Sequence, residues 1–340
     1  MTTFNAGSVY YFRTMNQPSK IAVLTSGGDA PGMNAALRAA VRTISWHKKL
    51  AYGVYRGYDG LISNDIKYLD ARSVNHILGR GGTMLKSARS EGFRTKEGRQ
   101  TAFENLSAQG IDSLIVIGGD GSLTGAHLMH EEHGIPIVGI PATIDNDLMG
   151  TDESIGFDTA LNTAVEAVDK IRDTAASHNR LFLIEVMGRN SGEIALATGI
   201  ATGALAVMTP EEDLTVDDLI QSLERGRRNK KTSNIVIVAE GYGKNGAENL
   251  GKVIQERTEL YETKVTVLGH IQRGGQPSVR DRLLASELGH AAVEALLNDK
   301  KDIMVGLKQS NIEHIPILEA VQSKKHLNPN YLQLVKELSI

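Results

Sequence analysis

A chain of 340 residues, at roughly 150 residues per domain, points to two compact lobes and excludes a single small binding module. Hydrophobic residues make up 41%, charged residues 23% and aromatics 5%, which fits an aliphatic core and excludes a disordered or fibrous chain. The 37 Lys and Arg against 40 Asp and Glu, net −3, argue against a general nucleic-acid or membrane-surface binder, and the absence of Cys removes disulfides, thiolate metal sites and cysteine nucleophiles.

Residues 1–19 show no clean period and no long apolar core of a signal peptide, so they are read as an extension outside the fold of a cytoplasmic protein. Ordered structure is expected from Ile21. An apolar run at 21–25 reads as a strand. The glycine turn Ser26-Gly27-Gly28-Asp29-Ala30-Pro31-Gly32 follows it. A helical period then begins, with Met33, Ala36, Leu37, Ala40, Val41 and Ile44 at spacings of three and four. Further strand-length apolar runs lie at 114–117, 135–140, 181–186, 204–208, 234–239 and 264–269, mostly separated by helical stretches. Continuous rather than alternating apolar strands imply burial on both faces, hence an α/β fold with mainly parallel sheets sandwiched by helices, one per lobe. The helical stretch 156–178 reads as the connection between lobes, with a boundary near residue 155.

In such sheets ligands bind beyond the carboxyl ends of the strands. The 35 glycines, about one residue in ten against a usual seven per hundred, concentrate there. After 114–117 comes Gly118-Gly119-Asp120-Gly121-Ser122, whose spacing to Gly125 is one residue too long for a dinucleotide fingerprint; a Walker-type P-loop is absent altogether. After 135–140 comes Pro141-Ala142-Thr143-Ile144-Asp145-Asn146-Asp147. If that segment stays extended, Thr143, Asp145 and Asp147 share one face, and two carboxylates on one face call for a cation or a shifted proton between them. Arg80 to Arg89 with Arg94, Met187-Gly188-Arg189, Glu240-Gly241 and His270-Ile271-Gln272-Arg273 close other runs. Each segment alone also fits an ordinary turn. Together they favour a phosphorylated, hydroxyl-bearing substrate facing a Mg²⁺-bound polyphosphate. The chemistry expected is phosphoryl transfer to a hydroxyl, with Asp145 as base and Asp120 with Asp147 around the metal, although spacing alone does not decide which Asp does which.

Six ordered segments carry a further signal: LTSGGDAPGMNAA (24–36), GGT-x-L-x-SAR (81–89), IGGDGS (117–122), P-x-TIDND (141–147), EVMGR (185–189) and VLGHIQRGG (267–275). Together they resemble the bacterial ATP-dependent 6-phosphofructokinases, over about residues 20 to 320. That resemblance implies two Rossmann-like three-layer lobes, a homotetramer, and transfer of the ATP γ-phosphate to the 1-hydroxyl of fructose 6-phosphate with Mg²⁺. It implies a larger ATP-binding lobe of residues 20–156 plus about 272–322, and a smaller sugar-phosphate lobe of about 157–271 plus 323–340. By the same match Asp145 is the proton acceptor, with Thr143 and Arg189 beside it. Gly28, Tyr58, Arg89, Gly119, Asp120, Gly121 and Ser122 fall in the ATP site, Asp120 being the Mg²⁺ aspartate. Met187, Gly188, Arg189, Glu240, His270 and Arg273 match sugar-phosphate contacts, and Arg180 and Lys264 match positions that reach a neighbouring subunit's sugar site.

Departures from the family pattern matter. Lys264 stands where relatives often carry Arg, keeping the charge but losing the bidentate fork. Ala142 and Gly121 are small where pyrophosphate users often carry Lys and Asp, which favours ATP as donor over pyrophosphate. Arg38, Arg42 and Arg172 match positions that bind a nucleotide or phosphoenolpyruvate effector. Ala71, Leu205, Asn229 and Ser233 replace the usual Arg, Glu, Lys and His, with Arg72, Lys230 and Lys231 as potential compensation, so nucleotide activation is expected to be weakened or rewired. NAD and lipid kinases share the Gly-Gly-Asp-Gly turn but would not supply the TIDND and HIQRGG segments. A silent sugar-phosphate sensor would not need Asp120, Asp145 and Asp147 together. A single Trp, Trp46, adds to the case against nucleic acid.

Overall fold

The structure is a computed structural model that describes residues 17–175, 180–212, 214–228 and 234–338. Residues 1–16, Asn229, Lys230, Lys231 and Ser233 lie outside it. The strands are β1 (Lys20–Thr25), β2 (Leu50–Val54), β3 (Ile66–Leu69), β4 (Ser113–Gly118), β5 (Ile137–Pro141), β6 (Arg180–Val186), β7 (Ala206–Met208), β8 (Asn234–Ala239), β9 (Glu262–Val267), β10 (Ile303–Lys308) and β11 (Asn311–Pro316). The α-helices are α1 (Met33–Trp46), α2 (Gly57–Ile62), α3 (Lys96–Ala108), α4 (Asp120–His133), α5 (Phe157–Ala175), α6 (Glu193–Thr202), α7 (Val216–Arg228), α8 (Gly246–Arg257), α9 (Val279–Leu297), α10 (Ile317–Gln322) and α11 (Pro329–Leu338).

Two sheets form, in the orders β11-β10-β5-β4-β1-β2-β3 and β7-β8-β6-β9. Among the described strands only β3 and β11, at the two edges of the larger sheet, run antiparallel to their neighbours. The α/β architecture with mainly parallel sheets is thus the one the apolar runs imply. The central strands β1, β4, β5 and β8 are buried almost end to end, because helices cover both faces and leave no side wet. One continuous apolar core runs between the sheets, joining Val23 and Ile117 of the larger to Ile184 and Ile237 of the smaller through Ala160, Ala164 and Val168 of α5. Separate clusters fill the outer faces of the larger and smaller sheets.

This topology gathers the glycine turns. β1 pairs with β4 in parallel, Thr25 opposite Ile117, and β4 pairs with β5, Gly118 opposite Pro141. The chain leaves β1 for β2 on one side while β4 lies on the other, so β1 and β4 flank a topological switch point, the usual ligand crevice of an open α/β sheet. In the smaller sheet β6 sits between β8 and β9, with Val186 opposite Ala239 and Glu185 opposite Val267. Their carboxyl ends therefore bring the 187–192, 240–243 and 268–275 segments together. Asp281, fully buried at the start of α9, ties the lobes. Its carboxylate accepts from Gly156 N (2.7 Å), Thr159 N (2.8 Å) and Thr159 Oγ1, capping α5 from 125 residues away.

One expectation is corrected. The segment after β5 is not extended: Ile144 and Asp145 form a turn and Asn146 adopts φ 50°. Asp145 and Asp147 still act on each other, but through a turn rather than along a strand face.

Candidate active site

A cavity of about 570 Å³ opens at the switch point, and Gly28, Tyr58, Arg89, Gly119, Asp120, Gly121, Ser122, Thr143, Asp145, Arg189 and Arg273 all line it. Its size falls in the range of small-molecule sites. One wall is built around Tyr58, whose buried ring stacks on Phe93 at 3.9 Å between centroids and whose hydroxyl donates to the Ser122 carbonyl. That bond locks the first turn of α4 against α2. Two glycines show what the walls require. A Cβ at Gly28 would lie 2.4 Å from Arg273 Nη1, so a side chain there would push that guanidinium from its place on the β1 turn, where it donates to the Asp29 carbonyl at 3.2 Å. A Cβ at Gly121, by contrast, would meet nothing within 4 Å, and the space beside it belongs to the cavity.

The carboxylates sit at one end. Asp145 is 2% exposed, and its Oδ1 is buried with no hydrogen-bond partner. Its Oδ2 lies 3.5 Å from Arg189 Nε, while Arg189 Nη1 lies 3.6 Å from Asp120 Oδ1. Burial first, then the charge of Asp147, pushes the Asp145 carboxyl up to about 6, with Arg189 and Arg273 opposing. Asp147 is held above the usual carboxylate range by burial and by Asp120, and its Oδ1 also lacks a partner. An unpartnered buried carboxylate oxygen is costly unless a cation or proton comes to it. Asp120 is the first residue of α4, where the helix dipole favours negative charge, and its side chain is about half exposed.

Arg189 joins these groups. It occupies the left-handed region at φ 52°, and Gly188 before it at φ 141°. Its backbone N–H donates to Glu240 Oε1 at 2.6 Å. A non-glycine residue held in this conformation costs about 1–3 kcal/mol, and such outliers concentrate at functional sites. Here it directs the guanidinium between two acids. Met187 N donates to Gln272 Oε1 at 3.3 Å, linking the β6 and β9 ends, and His270 is exposed beside them.

Other expected residues lie elsewhere within the chain. Arg180 and Lys264, on adjacent strands, both pair with Glu262, at 2.8 and 2.5 Å. These cations hold the exposed Glu262 carboxyl down to about 2, and neither lines the cavity. Arg42 donates to Asn75 Oδ1 at 2.8 Å on the outer side of α1, near Arg38, and Arg172 donates to the Thr202 carbonyl. Leu205 is buried in the outer core of the smaller lobe. Asn146, which its sequence position did not single out, clamps the turn that carries Asp145: its Oδ1 accepts from Ser154 N at 3.0 Å and its Nδ2 donates to the Asp152 carbonyl at 3.2 Å. Its position between two acids is the signal the sequence offers. Gln272 lies inside the VLGHIQRGG segment but nothing there marks its bond to Met187, and nothing in the sequence marks Phe93.

A nucleotide-sized crevice at a switch point, walled by glycine turns and ending in an Arg189 bridge between acids, defines a phosphoryl-transfer type of α/β protein. The phosphofructokinase family model matches residues 20–296. The chain is 54% identical over 321 residues to the ATP-dependent 6-phosphofructokinase of Bacillus velezensis, covering 94% of this chain and 99% of that protein. It is 51% identical, with the same coverage, to ATP-dependent 6-phosphofructokinase 1 of Thermus thermophilus. Among solved structures, Pichia pastoris phosphofructokinase in the T-state superposes with a TM-score of 0.82 at 40% identity, covering 89% of this chain and 35% of that longer one. The pyrophosphate-dependent phosphofructokinase of Marinobacter aquaeolei superposes at 0.78 with 21% identity over 94% and 91% of the two chains, a likeness of fold alone. The chain belongs to the phosphofructokinase family.

Proposed function

We propose that this protein is an ATP-dependent 6-phosphofructokinase, phosphorylating fructose 6-phosphate at its 1-hydroxyl to give fructose 1,6-bisphosphate. Relatives more than half identical bear that name. The observation that carries the reading is the buried, unpartnered Asp145 Oδ1 at the end of a cavity that Gly121 leaves open. The small residues at 121 and 142 leave room for a nucleotide rather than pyrophosphate alone.

In this reading ATP lies along the cavity over Gly28, Gly119, Gly121 and Ser122, with Tyr58 and Arg89 in its walls. Backbone N–H groups at the start of α4 face its phosphates. The sugar phosphate lies across the ends of β6, β8 and β9, against Met187, Gly188, Glu240, His270 and Arg273. Asp145 Oδ1 takes the proton of the 1-hydroxyl as that oxygen bonds to the γ-phosphorus. The bond from the γ-phosphorus to its bridging oxygen breaks, and ADP leaves with the electron pair. Arg189, already poised between Asp120 and Asp145, meets the charge on the transferring phosphoryl oxygens, and Thr143 steadies the turn by accepting from Asp145 N at 3.2 Å. Two acids with buried or half-exposed hard oxygens suit Mg²⁺. Asp120 and Asp147 would hold it, and the ion supplies charge neutralisation on the polyphosphate.

Lys264, exposed on the edge strand β9, and the partly exposed Arg180 on its neighbour β6, both displaced from the cavity, fit contribution to a neighbouring copy's sugar site in a homotetramer. The same reading includes a cytoplasmic location, lobes divided as 20–156 plus about 272–322 and about 157–271 plus 323–340, and an effector site at Arg38, Arg42 and Arg172 for a nucleotide or phosphoenolpyruvate. No helix among the described residues is long and apolar enough to cross a membrane. A coupled assay of purified protein with fructose 6-phosphate, Mg²⁺ and ATP tests the activity. Sedimentation with and without fructose 6-phosphate tests the assembly.

A further inference from the structure

Residues after α10 lie beyond the span matched by the family model, yet one of them reaches the floor beneath the catalytic turn. The Nζ of half-buried Lys325 donates to the carbonyl oxygens of Thr151 at 3.0 Å and Asp152 at 3.1 Å. The Asp152 carbonyl also accepts from Asn146 Nδ2, and the same Nδ2 stands 3.4 Å from Glu193 Oε2. Asn146 is 1% exposed and lies between Asp145 and Asp147. Ammonium, carbonyl, amide and carboxylate thus form one continuous hydrogen-bonded path from the C-terminal segment to the turn that carries the base.

The charge arrangement agrees with the path. Glu193, in the first turn of α6, is held above the usual carboxylate range by burial, and the charge of Lys325 is the main influence opposing that rise. Burial weakens the Lys325 ammonium, while Glu193, Asp152, Asp147 and Glu153 support it. Without a cation there, the carboxylates of Glu193 and Asp147 would share a poorly solvated floor with no positive charge on that side. The Asn146 amide would then have to answer both, and a turn shifted by 1 Å can cost two orders of magnitude in rate.

We infer that Lys325 is a positioning residue for phosphoryl transfer: by holding the Thr151 and Asp152 carbonyls and balancing the charge of Glu193, it fixes Asn146 and so the aim of Asp145. The inference rests on the kinase reading above. The test compares wild type, Lys325→Met, Lys325→Arg and the double variant Lys325→Met/Glu193→Gln, measuring kcat, KM for fructose 6-phosphate and thermal unfolding, each with ATP and Mg²⁺. Lys325→Met is expected to lose roughly 10- to 100-fold in kcat, the usual effect of removing a supporting partner, while KM stays within about 3-fold, the pattern of a loss confined to the transition state. Arg should recover most of the rate, and the double variant should recover at least half of the logarithmic loss because both charges are gone. A Lys325→Met kcat within 2-fold of wild type overturns the inference. So does failure of both the Arg and the double variants to recover. If Lys325→Met alone unfolds, the double variant decides, recovered folding and turnover supporting the inference and continued failure overturning it. A wild type without turnover strikes the kinase reading itself and the inference with it.

Discussion

Replacing Asp145 by Asn keeps the shape of the side chain and removes its charge, so it separates catalysis from binding. A positioned general base contributes about 10²- to 10⁴-fold, equivalent to about 3–5 kcal/mol of barrier at 1.36 kcal/mol per decade. Asp145→Asn should lose that much kcat while KM for fructose 6-phosphate changes little, since the buried Oδ1 has no partner to lose. The wild-type carboxyl, pushed up to about 6 mainly by burial, should give an acid limb in which the rate falls about tenfold per pH unit below that value. The limb should be absent from the residual activity of the variant.

Stability should move the other way. Because the folded value lies above the ordinary 3.8, the folded chain takes up a proton between about pH 6 and 4 that the unfolded chain does not. Stability contributed by this group therefore rises as pH falls through that window and is lowest above it. At neutral pH the difference from 3.8 to about 6 corresponds to about 3 kcal/mol disfavouring the ionised form. Asp145→Asn should accordingly melt higher than wild type at pH 7.5, with the gap closing toward pH 4. Steady-state kinetics from pH 5 to 9 and thermal melts from pH 4 to 9 measure both effects. Near-normal turnover would remove Asp145 from the mechanism, and a lower melting temperature at neutral pH would refute the argument from burial.

Other outcomes follow from the same geometry. Gly121→Asp should fold normally, because its Cβ meets nothing within 4 Å, yet should raise KM for ATP by roughly tenfold or more, about 1.4 kcal/mol, by setting a carboxylate against the phosphates; unchanged ATP kinetics would show that the nucleotide does not pass this turn. Arg99 is 4% exposed and forks onto Glu132 with two bonds of 2.6 Å, a pair that also holds the Glu132 carboxyl below its usual range. Glu132→Ala should cost about 3 kcal/mol or more by leaving a buried cation unpaired, and a melting temperature equal to wild type would contradict this. With buried Leu205 at a position where an acidic effector ligand is expected, ADP should shift half-saturation by fructose 6-phosphate by less than about 5-fold, the lower end of allosteric coupling. A larger activation, abolished by Arg172→Ala, would show that an intact effector site survives.

The sequence made legible what repeats or alternates locally. Seven runs of aliphatic residues marked β1 and β4 to β9, in most of them because burial on both faces leaves no polar gap; β9 is the exception, an edge strand whose side chains are mostly exposed. Of the four strands it hid, β10 is apolar and mostly buried yet went unmarked, and the other three are of another kind. β2 carries Gly53 and Tyr52 amid its aliphatics, β3 is a four-residue antiparallel edge strand, and most side chains of β11 are exposed. Such strands need no continuous apolar signal. The candidate site was legible where a turn closes a strand, at Gly28, Asp120, Asp145 and Arg189, all of which line the cavity. Residues that act through distance were not. Asp281 caps a helix 125 residues earlier, Gln272 binds Met187 from 85 residues away, and Lys325 reaches Thr151 from 174. No local pattern encodes these pairs, which exist only after the lobes have packed. The bend at Ile144–Asp145 escaped for a related reason: Asn146 takes its left-handed conformation with Ser154 and Asp152 as partners.

The most direct test of the account is a coupled measurement of product with fructose 6-phosphate and Mg²⁺, run in parallel with ATP and with pyrophosphate. The account predicts fructose 1,6-bisphosphate and ADP in equal amounts with ATP, and no product with pyrophosphate. Product formed with pyrophosphate alone would contradict it.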